Sequence, residues 1–515
     1  MAVGTRGWGY VRAAAALAFL TVVVALLAGC GGDDAGGESV SYTGEAYPNG
    51  DLANSRNARG PIKSSNVEEL ETAWTVPIEG EGAFGSYAST PVVAGGVVYS
   101  QDLASNVQAI EHDSGEVLWT KAYELGSLGP NGVVVADDRV YGATPTDAFA
   151  LDRETGRELW RTSLTRNANE GIDLAPGFSN GTLYASTVPV NAGSLYEGGG
   201  VGILWALDGK TGKKRWSFDT VPKNLWGNPG VNSGGGVWYT PAFDEEGFMY
   251  FGVGNPAPFP GTQEDPFGSS RPGPNLYTNS IVKMNAKTGK MDWYFQLTPH
   301  DIYDWDLQGP PILVEAGGRE LVVAAGKVGF VIALDRETGK LVWKRSVGKH
   351  NGHDQDNLYA MRGEYDRIKT DTVYPGALGG VIAPMSTDGK TVFAPVVNSP
   401  VTLVNGGETS EGGGENSGEL VALDVATGAV EWKHFFANGP VYGSTTVTND
   451  LVFATTFDGK VHGFDTKSGR IAWQEELPAG TNAGVTVAGD TLIAPAGLPA
   501  AEGQTPQIVA YRLGG

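Results

Sequence analysis

The segment "FVIALDRETGKLVW" (residues 330–343) reads as an apolar strand, a turn and a second strand that ends on tryptophan. Thr-Gly between two β-forming runs is a hairpin signal, with glycine supplying the positive φ of a two-residue turn. The phrase returns as "DSGEVLW" (113–119), "ETGRELW" (154–160), "KTGKKRW" (210–216), "KTGKMDW" (287–293), "ATGAVEW" (426–432) and "KSGRIAW" (467–473). Further strands, such as "GGVVYS", "DRVYGAT" and "DLVFATT", precede many copies. Short strands in groups of four, with tryptophans recurring at 74, 119, 160 and 216, have the period of β-propeller blades. Each tryptophan is expected to lie between neighbouring blades.

The two chain ends complete the count. "VEELETAW" (67–74) is a tryptophan strand without its hairpin partner, and "QIVAYRL" (507–513) is that partner without its tryptophan strand. Joined, they make a composite blade that leaves no exposed sheet edge. The expectation is an all-β, eight-bladed propeller over residues 48–515, closed by pairing of its N- and C-terminal strands. The wide interval between Trp343 and Trp432 holds inserted loops, among them the low-complexity stretch "VNGGETSEGGGENSG" (404–418).

Ahead of the propeller, Arg6 and Arg12 precede the apolar run "AAAALAFLTVVVALLAGC", which ends at Cys30. A positive segment followed by an alanine-rich apolar run of this length reads as a signal peptide (1–29) rather than a membrane span. "LAGC" (27–30) resembles the bacterial lipobox, which implies lipidation of Cys30, a flexible tether over 30–47 and an extracytoplasmic, membrane-anchored protein. The net charge of −22 becomes −24 once the two arginines of the leader are gone, which argues against nucleic acid as a partner. Cys30 is the sole cysteine, so the chain has neither an internal disulfide nor a Cys-x-x-Cys-His haem attachment site. Any electrons it handles leave through another molecule.

A second stretch, "PHDIYDWDLQGPP" (299–311), crowds Asp301, Asp304 and Asp306 together. Residues two apart in an extended segment share a side, so Asp304 and Asp306 are expected to face one site while Tyr303 and Trp305 point elsewhere. Carboxylates so close raise each other's pKa unless a cation sits between them, and oxygen donors suit a hard ion.

The repeat, together with three further places, resembles the quinoprotein alcohol dehydrogenases, which carry pyrroloquinoline quinone (PQQ). The likeness runs from about residue 48 to the C-terminus. "GVGNPAPF" followed by "RPGPNLYTNSIV" (252–282) is similar to the family block whose asparagine binds the metal, which implies Asn255. "TPHDIYDWD" (298–306) looks like the family's Pro-His-Asp-x-Trp-Asp, with Tyr303 in place of the tryptophan, and implies Asp304 as catalytic base and metal ligand. The family's metal-binding glutamate falls at Glu197, and a cofactor-contacting serine at Ser194. Asp306 resembles the extra carboxylate of the family's lanthanide-using branch; calcium is the alternative ion. Trp238 falls where the family has a tryptophan floor beneath the quinone, and Lys327 where it has a cation beside the quinone oxygens. His300 belongs to the Asp304 motif as a support of its loop.

Departures lie around the quinone's upper face. The adjacent-cysteine disulfide of many members is absent, Asn131 stands for an arginine, and Ala88 stands for a glutamate in "ASTP" (88–91). The resemblance implies oxidation of an alcohol or sugar, with electrons passed to a separate cytochrome or quinone. The reading that remains open beside it is a non-catalytic propeller lipoprotein similar to the barrel-assembly scaffold.

Overall fold

Each copy of the repeat forms the outer hairpin of a four-stranded antiparallel sheet, and eight such sheets follow one another along the chain. The structure, a computed structural model, describes residues 44–191, 194–411, 416–499 and 502–514, all within one compact unit, Val40–Gly515. Seven blades are continuous, at 92–121, 134–163, 177–219, 242–296, 312–346, 386–436 and 446–476. The eighth takes three strands from the C-terminal end and its outermost strand, Leu70–Pro77, from the N-terminal end, with Trp74 opposite Ala510. The middle strands are buried on both faces, as in Leu451–Thr456, whereas the outermost strands alternate between exposed and half-buried positions, as in Val117–Lys121.

The hairpin turn differs from the two-residue reading. It spans four residues, closed by Asp335 N–H donating to Lys340 O at 2.8 Å and Gly339 N–H donating to Asp335 O at 2.8 Å. The aspartate at the end of each apolar strand accounts for the longer turn. Asp335 Oδ1 accepts from both Thr338 N–H (2.9 Å) and Thr338 Oγ1–H (2.6 Å), and so substitutes for backbone pairing across the loop. Asp152, Asp208, Asp424 and Asp465 do the same.

Tryptophan and glycine of the repeat meet across blades. Trp293 Nε1 donates to Arg336 O of the next blade at 3.2 Å, and its ring covers Gly339, whose φ is +68°. A Cβ at Gly339 would sit 2.6 Å from Trp293 Cδ2, so both the backbone conformation and the ring exclude a side chain. Trp119 covers Gly156, Trp343 covers Gly428 and Trp432 covers Gly469 in the same way. Trp473 faces the one hairpin that the chain ends interrupt; it meets Tyr511 edge-on instead, with centroids 5.7 Å apart.

A backbone belt ties the inner strands together. Ala46 pairs with Val135, Leu52 O accepts from Phe243 N–H, Ala53 O from Leu313 N–H, Ser55 O from Thr387 N–H and Arg56 O from Val447 N–H. These contacts reach blades 2, 4, 5, 6 and 7, and Asn57–Ala58 then adds a parallel strand to blade 7. Residues 44–47, expected in the tether, therefore already belong to the propeller. Cys30 and the leader lie outside the described residues. Among the described residues no helix is long and apolar enough to cross a membrane.

The antiparallel order of each blade puts its outer hairpin turn at one end and both its middle-strand connection and its link to the next blade at the other. Segments 187–202, 254–279 and 326–329 are middle-strand connections, and 297–311 is a link between blades. All four gather at the end opposite the Thr-Gly turns. Replacing Gly339 with alanine is expected to lower stability by about 1–3 kcal/mol, because the new Cβ meets both a left-handed φ and an indole ring. Urea denaturation of the Gly339→Ala variant beside the parent chain measures this.

Candidate functional site

The three aspartates of the 299–311 link have two different jobs. Asp301 is fully buried and clamps its own loop: Oδ1 accepts from Tyr303 N–H at 3.0 Å and Oδ2 from Trp305 N–H at 2.6 Å. Asp304 and Asp306 turn to a common point, where Lys327 Nζ lies 2.7 Å from an Oδ2 of each. Tyr303 and Trp305 turn away, donating to Asp356 Oδ2 (2.6 Å) and Pro375 O (2.8 Å). The alternation expected from the sequence is present, but the segment is not an extended strand, since Asp304 has φ +62°. His300 lies between the carbonyl oxygens of Gly273 and Phe267 and so joins this link to the 267–273 segment.

The cation between the carboxylates is thus the chain's own. Lys327 comes from the tight turn after Arg319–Ala325, and its side chain is 13% exposed beside the buried Asp304 and Asp306. Burial alone would lower the lysine's pKa, but Asp304 and Asp306 outweigh it and hold the ammonium up. Burial pushes the Asp304 carboxyl well above the usual carboxylate range, with Lys327 offsetting part of that rise. Two acids thus face one ammonium inside the protein.

Asn255 N–H donates to Asp306 Oδ1 at 2.5 Å, and its side-chain amide donates to Pro256 O at 3.2 Å. Trp238 is half-buried beside the same segment. A Cβ at Gly236 or Gly254 would come within 3.1 or 3.0 Å of Trp238 Nε1, and one at Gly254 would lie 2.6 Å from Asp306 Oδ1. Glycine at both positions lets the indole and the carboxylate approach one wall.

Glu197 and Ser194 are placed differently. Both are exposed, on a segment held by Asn191, whose amide donates to Ser194 Oγ and to the Glu197 carbonyl. Glu197 and Ser194 thus differ in exposure from Asn255 and Asp304, which are buried. Among the described residues no three carboxylate, histidine or cysteine side chains surround a metal position.

Tyr196 and Asp173 join the site without any sequence signal. Tyr196, at φ +62°, has its hydroxyl pKa raised by burial and then by the Asp304 charge. Asp173 is buried, accepts from Leu128 N–H (2.9 Å) and Gly129 N–H (3.1 Å), and is pushed up to about 7 by burial. A cavity of about 50 Å³ is lined by Ala88, Asn131, Tyr239, Tyr442, Ser444 and Asn482 among others, with no lysine or arginine in its wall. Asn131 Oδ1, Ser444 Oγ and Asn482 Oδ1 are buried without hydrogen-bond partners, so three polar atoms of this wall are open to a polar ligand. Asp304 and Asp306 offer oxygen donors of the kind a hard cation takes, and the orphaned polar atoms along the cavity are of the kind a polar ligand takes.

Two family models match the chain. The glucose/ethanol/alcohol dehydrogenase β-propeller domain covers residues 190–349, the part that carries Glu197, Asn255, Asp304 and Lys327. A model described as outer membrane protein assembly factor BamB covers 103–237, 275–433 and 388–512, together more than half of the chain. The quinohemoprotein alcohol dehydrogenase of Comamonas testosteroni is 28% identical over 86% of this chain and 70% of its own length. The chain belongs to the family of PQQ-like β-propellers that these models describe, and the curated relatives named here are quinoprotein alcohol dehydrogenases. A second member, quinoprotein alcohol dehydrogenase PedH of Pseudomonas putida, is 26% identical over 81% of this chain and 79% of its own. Among solved structures, the Comamonas testosteroni enzyme superposes with a TM-score of 0.78 at 24% identity, covering 91% of this chain and 81% of that one. A europium-containing methanol dehydrogenase gives 0.74 at 20% identity, over 92% and 99%. BamB from Moraxella catarrhalis gives 0.52 at 14%, over 86% and 97%. These structures share the fold of this chain.

Lys327→Met is expected to cost about 3–5 kcal/mol, since it leaves two buried carboxylates facing one another. Adding Asp306→Asn in the same chain should return most of that loss. Urea unfolding of the single and double variants measures both.

Proposed function

We propose that this chain is an extracytoplasmic dehydrogenase, dependent on PQQ and a metal ion, that oxidises an alcohol or sugar and hands the electrons to a separate cytochrome or quinone. The observation that carries this reading is the buried Asp304–Lys327–Asp306 cluster, at the positions where the family resemblance puts the base and its cation. A purely structural propeller has no use for a charge cluster that must be desolvated to exist. That sets the dehydrogenase above the scaffold reading.

Bound PQQ would supply the two-electron acceptor, and the metal a Lewis acid. Asp304, Asp306 and Asn255, with Glu197 from the neighbouring segment, would hold a hard ion, calcium or a lanthanide. The second carboxylate at Asp306 favours the ion of higher charge. Trp238 offers a flat surface for a planar cofactor, and Ser194 is assigned to its edge. Asp304 acts as the general base that takes the hydroxyl proton of the substrate. Lys327 offsets part of the rise that burial gives that carboxyl, and its hydrogen bond orients it. At the site end of the propeller, the exposed side chains of Phe84, Leu125, Leu378 and Phe457 lie on the loops, with Tyr442 and Phe457 rings 5.2 Å apart. This apolar lip suits an alcohol better than a sugar. Lipidation at Cys30 would fix the enzyme to a membrane by its lipid anchor alone.

Purified residues 31–515 should show saturable quenching of tryptophan fluorescence by PQQ in the presence of calcium or lanthanum, and none after chelation. Asp304→Asn should retain that binding and lose turnover by about 10²–10⁴-fold. Quenching with neither ion would put the scaffold reading first.

A further inference from the structure

The motif around Asp304 departs from the family pattern at Tyr303, and the structure gives that tyrosine a partner outside the site. A segment of 347–385 is inserted between blades 5 and 6 and carries the helix Asp356–Arg362. Tyr303 O–H donates to Asp356 Oδ2 at 2.6 Å. Asn357 Oδ1 accepts from Ile302 N–H at 3.0 Å, and Asn357 Nδ2 lies 3.3 Å from Asp301 Oδ1. Pro375 O, further along the same insertion, accepts from Trp305 Nε1–H at 2.8 Å. Four contacts, at Asp301, Ile302, Tyr303 and Trp305, thus tie this loop to the insertion, while Asp304 pairs with Lys327.

Behind Asp356 stands His353. Its Nδ1 lies 2.6 Å from Asp356 Oδ2 and its Nε2 lies 2.7 Å from Asp371 Oδ1. An ionised carboxylate only accepts hydrogen bonds, so an imidazole between two of them donates from both nitrogens and is the imidazolium. His353, Asp356, Asn357 and Tyr303 are all buried, whereas Asp371 is exposed. Asp304, next to Tyr303, has the left-handed φ noted above. Such a conformation is strained in a non-glycine residue and persists only where its surroundings over-determine it.

We propose that the insertion is a brace for the Asp304 loop, with His353 as the positioning residue that holds Asp356 against Tyr303. Hydrogen bonding to Asp356, opposed by burial, raises the His353 pKa. The groups facing the imidazole are Asp356 and Asp371 of the insertion and, from the loop, the Tyr303 ring, edge-on at 6.1 Å. A histidine raised in the folded state gives its full stabilisation below the ordinary histidine pKa of about 6.5, and loses it as pH rises through the higher folded value. The brace therefore slackens on the alkaline side. Its effect on turnover rests on the assignment of Asp304 as base; its effect on the loop does not.

Amide hydrogen exchange of the cofactor-free chain, read by mass spectrometry on a peptide spanning 299–311, separates the two. At pH 7, His353→Gln and Tyr303→Phe should each speed exchange of this peptide by about tenfold, while the hairpin at 330–346 is unchanged. The parent chain should lose a similar factor between pH 7 and pH 9 beyond the intrinsic rise, and His353→Gln should not. Should His353→Gln fail to fold, Asp371→Asn, at an exposed side chain, should move the peptide in the same direction. Unchanged exchange at 299–311 in the folded variants would overturn the brace. In cofactor-loaded enzyme, His353→Gln should lower kcat about tenfold at a nearly constant alcohol KM. Faster exchange in a chain that binds no PQQ would keep the brace and remove the dehydrogenase.

Discussion

The indole of one blade lying across the glycine of the next is the contact from which the rest of the molecule takes its dimensions. A propeller has no helix bundle or second sheet to cover its blades, so each sheet must bury its face on its neighbour. Trp293 over Gly339 and Trp343 over Gly428 fix how far apart two outer hairpins stand. Repeating that contact closes a ring of defined radius, and the inner ends of the blades then converge on the axis. Asp304, Asp306, Asn255 and Lys327 come from two adjacent blades and the link between them, and their meeting point is set by this spacing. The site needs no special loop length to assemble, because the ring delivers its parts.

What the ring delivers is electrostatically unfinished. Two buried carboxylates share one lysine, Asp173 lies buried nearby with a pKa pushed up to about 7, and three polar atoms along the cavity lack partners. A fold selected for stability alone would replace such groups with apolar ones. The cluster is a buried pair of carboxylates that share one lysine. Ala88 and Asn131 line the cavity, so the changes from the family pattern are in the wall and not in the charged floor.

The sequence carried the fold because the repeat is local and periodic: Asp, Thr, Gly and Trp at fixed offsets define a turn and a docking surface. The composite blade was legible for the same reason, each terminal strand being half of a known phrase. The turn length was misjudged, since the side chain of Asp335 replaces backbone pairing that a strand pattern cannot reveal. Asp304, Asp306 and Lys327 were legible as a group because a family motif fixes each. Their direct ion pairing was not, because it depends on the distance between two loops. Glu197 and Ser194 sit on a segment whose position is decided by Asn191, two positive-φ residues and local charge, none of which leaves a pattern in one sequence. The His353–Asp356–Tyr303 contacts join residues some fifty positions apart within an insertion that has no repeat to align it.

Closing the ring with strands from both termini has a kinetic side. Leu70–Pro77 cannot pair until Gln507–Leu513 exists, and Trp74 meets Ala510 almost the full length of the chain away. The earliest strand therefore waits unpaired while every later blade is made, and the highest contact order in the molecule belongs to its final step. The same pairing must be undone before neighbouring blades can peel apart. Slow closure and slow opening are two faces of one barrier, so the durability of this protein is governed by a rate as much as by an equilibrium.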